Sequence, residues 1–191
     1  IHVYFGSFVL KRGIIFIDLA LAQWAALGYI IGHLFHIHNH ILLFLTSFGF
    51  TAIAALILSL LKPLYQANNL QEAVIGVTYI TANAIAIGLI SSFGLDGHHF
   101  QEMLTGHLLF IHPSEIITTY LSYFFIALLL IKLHPYFVKN TTPKWDFIFY
   151  LLFGLVVTSS VKMVGILLVF SFLVIPLLSI TLLTQSFKKQ L

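Results

Sequence analysis

Residues 41–61 read ILLFLTSFGFTAIAALILSLL, an uncharged run closed by Lys62 and Pro63. A hydrocarbon core about 30 Å thick takes about 20 helical residues to cross. This stretch is therefore long enough to span a bilayer, and the proline after it predicts a stop. Its apolar residues are continuous rather than alternating, which favours a helix over a barrel strand. The same pattern recurs on both sides. Residues 14–35 are broken only by Asp18 and Gln23, and 73–95 carry no charge. Residues 114–132 form a fourth span. Residues 145–187 are long enough for two, joined tightly near Lys162 and Gly165, with Pro176 expected to kink the last. The stretch GLDGHHFQEMLTGHLLFIHP, 94–113, is too polar to cross lipid alone and reads as a short surface or re-entrant helix.

The whole chain fits this class. Of 191 residues, 60% are hydrophobic and 8% charged, against about a quarter charged in soluble domains. That composition excludes a soluble enzyme, a nucleic-acid binder and a disordered tail. The expected fold is all-α: a polytopic helical membrane protein with about six transmembrane helices and the short helix in addition. Residues 1–191 read as one transmembrane domain. IHVYFGSFVL at the start is too short to span and reads as the tail of an earlier helix, so an N-terminal stretch is expected to precede it. With no cysteine, disulfides, thiolate metal sites and cysteine catalysis are excluded. HExxH, GxSxG and GxxxxGK[ST] motifs do not occur.

Basic residues orient the spans. With Lys11 and Arg12 in the cytoplasm, alternation puts Lys62, Lys132, Lys139, Lys144, Lys188 and Lys189 there too. Eight of nine basic residues then agree, Lys162 being the exception. Segments 33–40 and 96–112 fall outside.

Those outer segments hold most of the histidines. Ten occur in the chain, and His33, His36, His38 and His40 lie within HLFHIHNH. Neutral imidazole is a common ligand for zinc and suits iron, nickel and copper. If the first span continues outward, His33, His36 and His40 share one helical face. His98 and His99 are adjacent, a poor arrangement for one metal but a second source of ligands. His2, His112 and His134 read as ordinary interfacial residues. Asp18 is the one acid well inside a span, roughly 6 Å from the cytoplasmic edge, and Gln23 lies roughly 13 Å in, near the midplane. A carboxylate at such a place is a functional candidate, with a structural pairing to Arg12 as its alternative. Asn83, Thr158, Ser159 and Ser160 could line a path, although bonding between helices is the commoner role. Gly28 and Gly32 form a small-xxx-small pair that permits close helix approach, more often within a bundle than at a dimer seam.

Four segments resemble one family: KRGIIFIDLALAQWAALG (11–28), QEAVIGVTYITANAIAIG (71–88), HHFQEMLTGHLLFI (98–111) and WDFIFYLLFGLVVTSSVKMVGILLVFSFLVIP (145–176). The family is the permeases of ABC importers for zinc, manganese or iron. The resemblance implies a helical permease that works as a homodimer in the cell's inner membrane, among membrane lipid and without nucleic acid. It implies a cytoplasmic ATPase that holds the ATP, an external metal-binding protein, and a divalent metal as cargo rather than as a permanent cofactor. It implies no covalent chemistry by this chain, and further family helices at one or both ends of residues 1–191. The residues themselves supply the site candidates: an entry region at His33, His36, His38, His40, His98 and His99, and a path past Asp18, Gln23 and Asn83. The segment 133–144, with Tyr136, Lys139, Asn140 and Lys144, aligns with the family's ATPase-docking loop. Many family members carry Asp and His four apart on the first span; the aligned positions here are Leu19 and Gln23, with Asp18 one step away. The alternatives are a helical haem- or metal-binding subunit, which needs histidines on facing helices, and a degenerate permease without transport.

The topology is testable because the chain is cysteine-free. A single cysteine at Asn39 should react with an impermeant maleimide on intact cells, and one at Asn140 should not. The reverse pattern would invert the orientation.

Overall fold

The computed structural model describes residues 1–67, 70–94, 105–106, 113–139 and 142–190, and among them it contains helices and no strand. In chain order the helices are α1 (His2–Arg12), α2 (Ile17–Leu34), α3 (His40–Ala67), α4 (Gln71–Phe93), α5 (Pro113–Lys139), α6 (Pro143–Val164) and α7 (Ile166–Gln190). Five of them, α2 to α6, are long and apolar enough to cross a membrane. The apolar stretch of α7, Ile166–Ile180, is shorter. The protein is a polytopic helical membrane protein, as the apolar runs predict. The expected surface or re-entrant helix lies outside the described residues, apart from Thr105 and Gly106.

The helix α2 is the centre of the bundle. It packs against α3, α4, α6 and α7, and two thirds of its span is buried. The core is aromatic and aliphatic: Phe5, Phe149, Phe153, Leu21, Leu58 and Leu173 are wholly enclosed. Phe5 of α1 stacks on Phe153 of α6 at 4.9 Å. Outer faces are apolar too. On α5, Ile117, Leu121, Phe124, Phe125 and Leu128 are exposed, a surface that hydrocarbon wets and water does not.

Glycines decide two features. Gly28 and Gly32 lie against α3, where a Cβ on Gly28 would come within 2.7 Å of the Thr46 carbonyl oxygen and one on Gly32 within 2.8 Å of Leu43 Cδ2. The small-xxx-small pair thus serves packing within the chain. Gly165 (φ 80°) separates α6 from α7 as a single-residue link, the tight junction anticipated from sequence.

Three boundaries differ from the sequence reading. Pro63 does not stop α3, which continues to Ala67. The carbonyl of Ser59 loses its usual donor there, but Lys62 is held to Asp146 of α6, a tertiary tie that local propensity omits. Segment 133–144 is mostly helix rather than loop: Pro135 lies inside α5, and Pro143 opens α6 at a position where its missing N–H costs nothing. Tyr136 stacks on Trp145 at 4.6 Å across the connection, and Phe137 is buried against Phe149 at 5.5 Å. Finally, α2 ends at Leu34. The N–H of His36 donates to the His33 carbonyl and that of Ile37 to the Gly32 carbonyl, with His36 at φ 55°. This is a Schellman ending with histidine in the left-handed position glycine usually takes.

Gly28→Ala should lower the thermal midpoint of the purified protein, by about 1–3 kcal/mol of overpacking. Gly49→Ala meets open space and should be neutral or stabilising, gaining up to about 1 kcal/mol of helix propensity. Equal midpoints for the two variants in a detergent melt would contradict the close α2–α3 approach.

Candidate functional site

The helix ending at Leu34 separates the first histidine cluster. His33 is half-buried on the last turn of α2, its ring edge-on to Tyr29 at 4.5 Å. His36, His38 and His40 are exposed. The shared face expected for His33, His36 and His40 is not formed, because 35–39 leave the helix. Among the described residues no three His, Cys, Asp or Glu side chains converge to hold a metal ion. His98 and His99 lie outside the described residues.

Inside the bundle the polar residues divide into two sorts. One sort is fully engaged. Thr51 of α3 lies 3.1 Å from the Thr158 hydroxyl of α6, and its hydroxyl also donates to the Ser47 carbonyl at 3.0 Å. Tyr123 of α5 meets Ser160 of α6, which lies 3.0 Å from His2 Nε2. Ser159 donates to the Val156 carbonyl of its own helix at 2.8 Å and lies 3.3 Å from the Tyr123 hydroxyl of α5. These residues are glue between helices, the commoner role. His2 and His134 are more than interfacial: His134 Nδ1 is 2.8 Å from the Tyr4 hydroxyl, so both tie α1 to its neighbours.

The other sort consists of acceptors without a partner. Both oxygens of Asp18, Oε1 of Gln23 and Oδ1 of Asn83 are buried and accept no hydrogen bond among the described residues. Asp18 is 1% and Gln23 2% exposed. These are the three residues singled out as a path. Two lie on α2, about 7.5 Å apart along its axis, and the third is on α4. The two helices meet nearby: the Trp24 indole N–H donates to the Thr78 carbonyl at 3.1 Å, and Leu27 clusters with Ala82 and Ala86. Glu72 has one oxygen of the same kind, while the other accepts the Ile15 N–H at 2.6 Å. A buried acceptor that no protein donor satisfies is costly, and what suits it is a cation or a donor brought by something else. The suggested pairing of Asp18 with Arg12 does not occur.

Arg12 is taken by Asp146, which sequence reading passed over. Asp146 is fully buried in the first turn of α6. Its Oδ1 accepts from Arg12 Nη1 at 2.9 Å and its Oδ2 from Lys62 Nζ. Arg12 Nη2 donates to the Phe137 carbonyl at 3.3 Å, and its guanidinium sits 4.5 Å from the Phe149 ring centroid. The ends of α1, α3 and α5 and the start of α6 therefore meet at one end of the bundle, the end read as cytoplasmic. Beside this cluster, Tyr136 and Lys144 are exposed. Lys139 closes α5, and Asn140 lies outside the described residues.

A family model described as the ABC 3 transport family matches residues 2–191. Among solved structures, the chain is similar to PsaBC from Streptococcus pneumoniae in complex with Fab, at 18% identity and a TM-score of 0.68. That alignment covers 92% of this chain and 65% of the other, so the chain spans about two thirds of the length of that relative. No curated protein matches.

The two sorts of polar residue should respond oppositely to substitution. Thr51→Val removes bonds that hold α3 to α6 and should cost about 1 kcal/mol. Asp18→Asn replaces a buried carboxyl that accepts no hydrogen bond among the described residues and should leave the melting midpoint unchanged or raised. A fall in midpoint for Asp18→Asn as large as for Thr51→Val, read from thermal unfolding in detergent, would make Asp18 structural.

Proposed function

The chain belongs to the ABC 3 transport family, and from that membership we propose that it is the membrane-spanning permease subunit of an ABC importer for a divalent transition metal. The match over residues 2–191 carries this reading. Residues 1–191 act as a single permease domain in the inner, cytoplasmic membrane, beside a second copy of the same chain. The cargo is zinc, manganese or iron(II), delivered by an external metal-binding protein. ATP is bound and hydrolysed on a cytoplasmic ATPase, so this chain performs no covalent chemistry. Its work is to offer the ion one route and to change which side that route opens on.

Side-chain chemistry supports the route. A cation leaving water loses hydration and needs oxygen or nitrogen donors in return. The exposed imidazoles of His36, His38 and His40, with His33 behind them, suit a site of loose, exchanging ligands at the outer mouth; by the charge-based topology the segment bearing His98 and His99 faces the same side. Within the bundle, Gln23 and Asn83 offer neutral oxygens and Asp18 a charged one nearer the cytoplasmic end. The order gives weak ligands first and no closed cage, as conduction requires release. At the other end, the segment carrying Tyr136, Lys139, Asn140 and Lys144 would meet the ATPase, with Tyr136 and Lys144 exposed beside the Asp146 cluster.

Reconstitution with the ATPase in proteoliposomes tests this. ATP-dependent uptake of at least one of the three metals is expected. Gln23→Leu should lower it about tenfold, the factor for a lost ligand worth about 1.4 kcal/mol. The triple variant His33→Ala, His36→Gly, His40→Ala should lower uptake at scarce metal and less at abundant metal. Glycine is chosen at position 36 because the φ of 55° there strains other side chains. Absence of ATP-dependent uptake of all three metals would overturn the reading.

A further inference from the structure

We propose that Asp146 is the positioning residue through which the ATPase-docking corner moves the helices that line the route. This rests on the permease reading above and adds the element that couples the two ends.

The corner is stiff in itself. Tyr136 and Trp145 stack across the α5–α6 connection at 4.6 Å with planes 14° apart. Phe137 packs edge-on against both Trp145 and Phe149. A push on Tyr136 or Trp145 therefore displaces the end of α5 and the first turn of α6 together. Both ion pairs found among the described residues end on Asp146. One reaches Arg12, the last residue of α1, and the other Lys62, near the end of α3. Arg12 is bound to the corner a second time, through the Phe137 carbonyl.

Lys62 is the more telling partner. From it, α3 runs up through Thr51, which meets Thr158 of α6 and lies 3.5 Å from the Leu21 carbonyl of α2. The close approach at Gly28 and Gly32 fixes α3 to α2 again one and two turns farther on. The helix reached in this way is the one bearing Asp18 and Gln23. An ion pair at the base, a hydroxyl contact midway and a glycine seam above join the corner to the route by contiguous contacts. Lys62 is 6% exposed and Asp146 0%, so water screens this link little. The pair can hold while helices tilt, because a lysine ammonium reorients on a flexible stem more easily than a packed apolar contact reforms.

The test uses the full permease with its ATPase in proteoliposomes, and follows metal uptake and ATP hydrolysis in the same vesicles. Lys62→Met leaves Asp146 paired with Arg12, so the fold and the docking corner should persist. Hydrolysis should stay within about twofold of wild type while metal imported per ATP falls about tenfold, the size of a typical coupling free energy. Lys62→Arg keeps the charge and should restore most of the ratio. If Lys62→Met is recovered poorly, Asp146→Glu, which keeps both pairs with a longer stem, should assemble and still lower the ratio. An unchanged uptake-to-hydrolysis ratio in Lys62→Met or Asp146→Glu overturns the inference. So does a parallel fall in uptake, hydrolysis and recovered complex in both variants, which is the signature of a structural staple. Wild-type vesicles with no ATP-dependent uptake would instead fail the permease reading itself.

Discussion

Taking a carboxylate out of water costs several kcal/mol even after the surroundings relax, and the loss is offset only where cations and hydrogen bonds replace the lost hydration. Asp146 meets that condition with two cations, one on each oxygen. Arg12 in turn spends its remaining capacity on the Phe137 carbonyl and the face of Phe149. The arrangement can exist only if the ends of α1, α3 and α5 and the start of α6 come to one point, so it fixes the register of four helices at once. Removing Asp146 would strand the buried ammonium of Lys62, whereas removing one cation leaves the carboxylate paired with the other, and replacing the whole set by apolar side chains need not destabilise. The cluster is best understood as a device that specifies geometry, with little net gain in stability.

Local pattern made most of this fold legible. Apolar runs of span length identify the helices, Gly165 announces the junction of α6 and α7, and the spacing of Gly28 and Gly32 announces a close helix approach. What stayed hidden was tertiary. Asp146 follows Pro143 as an ordinary first-turn acid, and its partners stand 134 and 84 positions away in the chain. No periodicity encodes such a pairing. The same hidden contacts explain why Pro63 and Pro135 fail to end their helices: each is followed or preceded by a residue anchored to α6, Lys62 in one case, Tyr136 and Phe137 in the other. At His36 the sequence misleads for a different reason. Histidine in a left-handed cap is uncommon, so the spacing of His33, His36 and His40 suggests a continuous helix that the chain does not build.

Of the polar candidates, the interior ones were legible as buried groups and the outer histidine face was not. Asp18, Gln23 and Asn83 stand out in sequence because polar groups inside a span are expensive, and each has a buried oxygen that finds no donor among the described residues, as does Glu72. Thr158 and Ser160 stand out for the same reason but are satisfied by neighbouring helices. Sequence cannot separate the two sorts, since both present a polar atom at membrane depth. Only the packing, which gives Thr158 a facing Thr51 and gives Asp18 no donor among the described residues, does so.

This division bears on how α2 can serve both packing and passage. One face carries Gly28 and Gly32 and admits α3 so closely that a methyl group would collide. Another carries Trp24 and Leu27 and engages α4. A helix held on two sides cannot bend locally around an ion. It can shift only as a body with α3 or α4, and interfaces packed this tightly have discrete arrangements rather than a continuum. The oxygens of Asp18 and Gln23 then keep their spacing along the axis while their distance from Asn83 changes with the α2–α4 separation. Under the proposed permease function, a donor set of that kind would bind a cation in one arrangement and release it in the other, with no ligand having to move independently. On the same proposal Gln23 would suit release, since an amide oxygen holds a divalent ion less firmly than an imidazole.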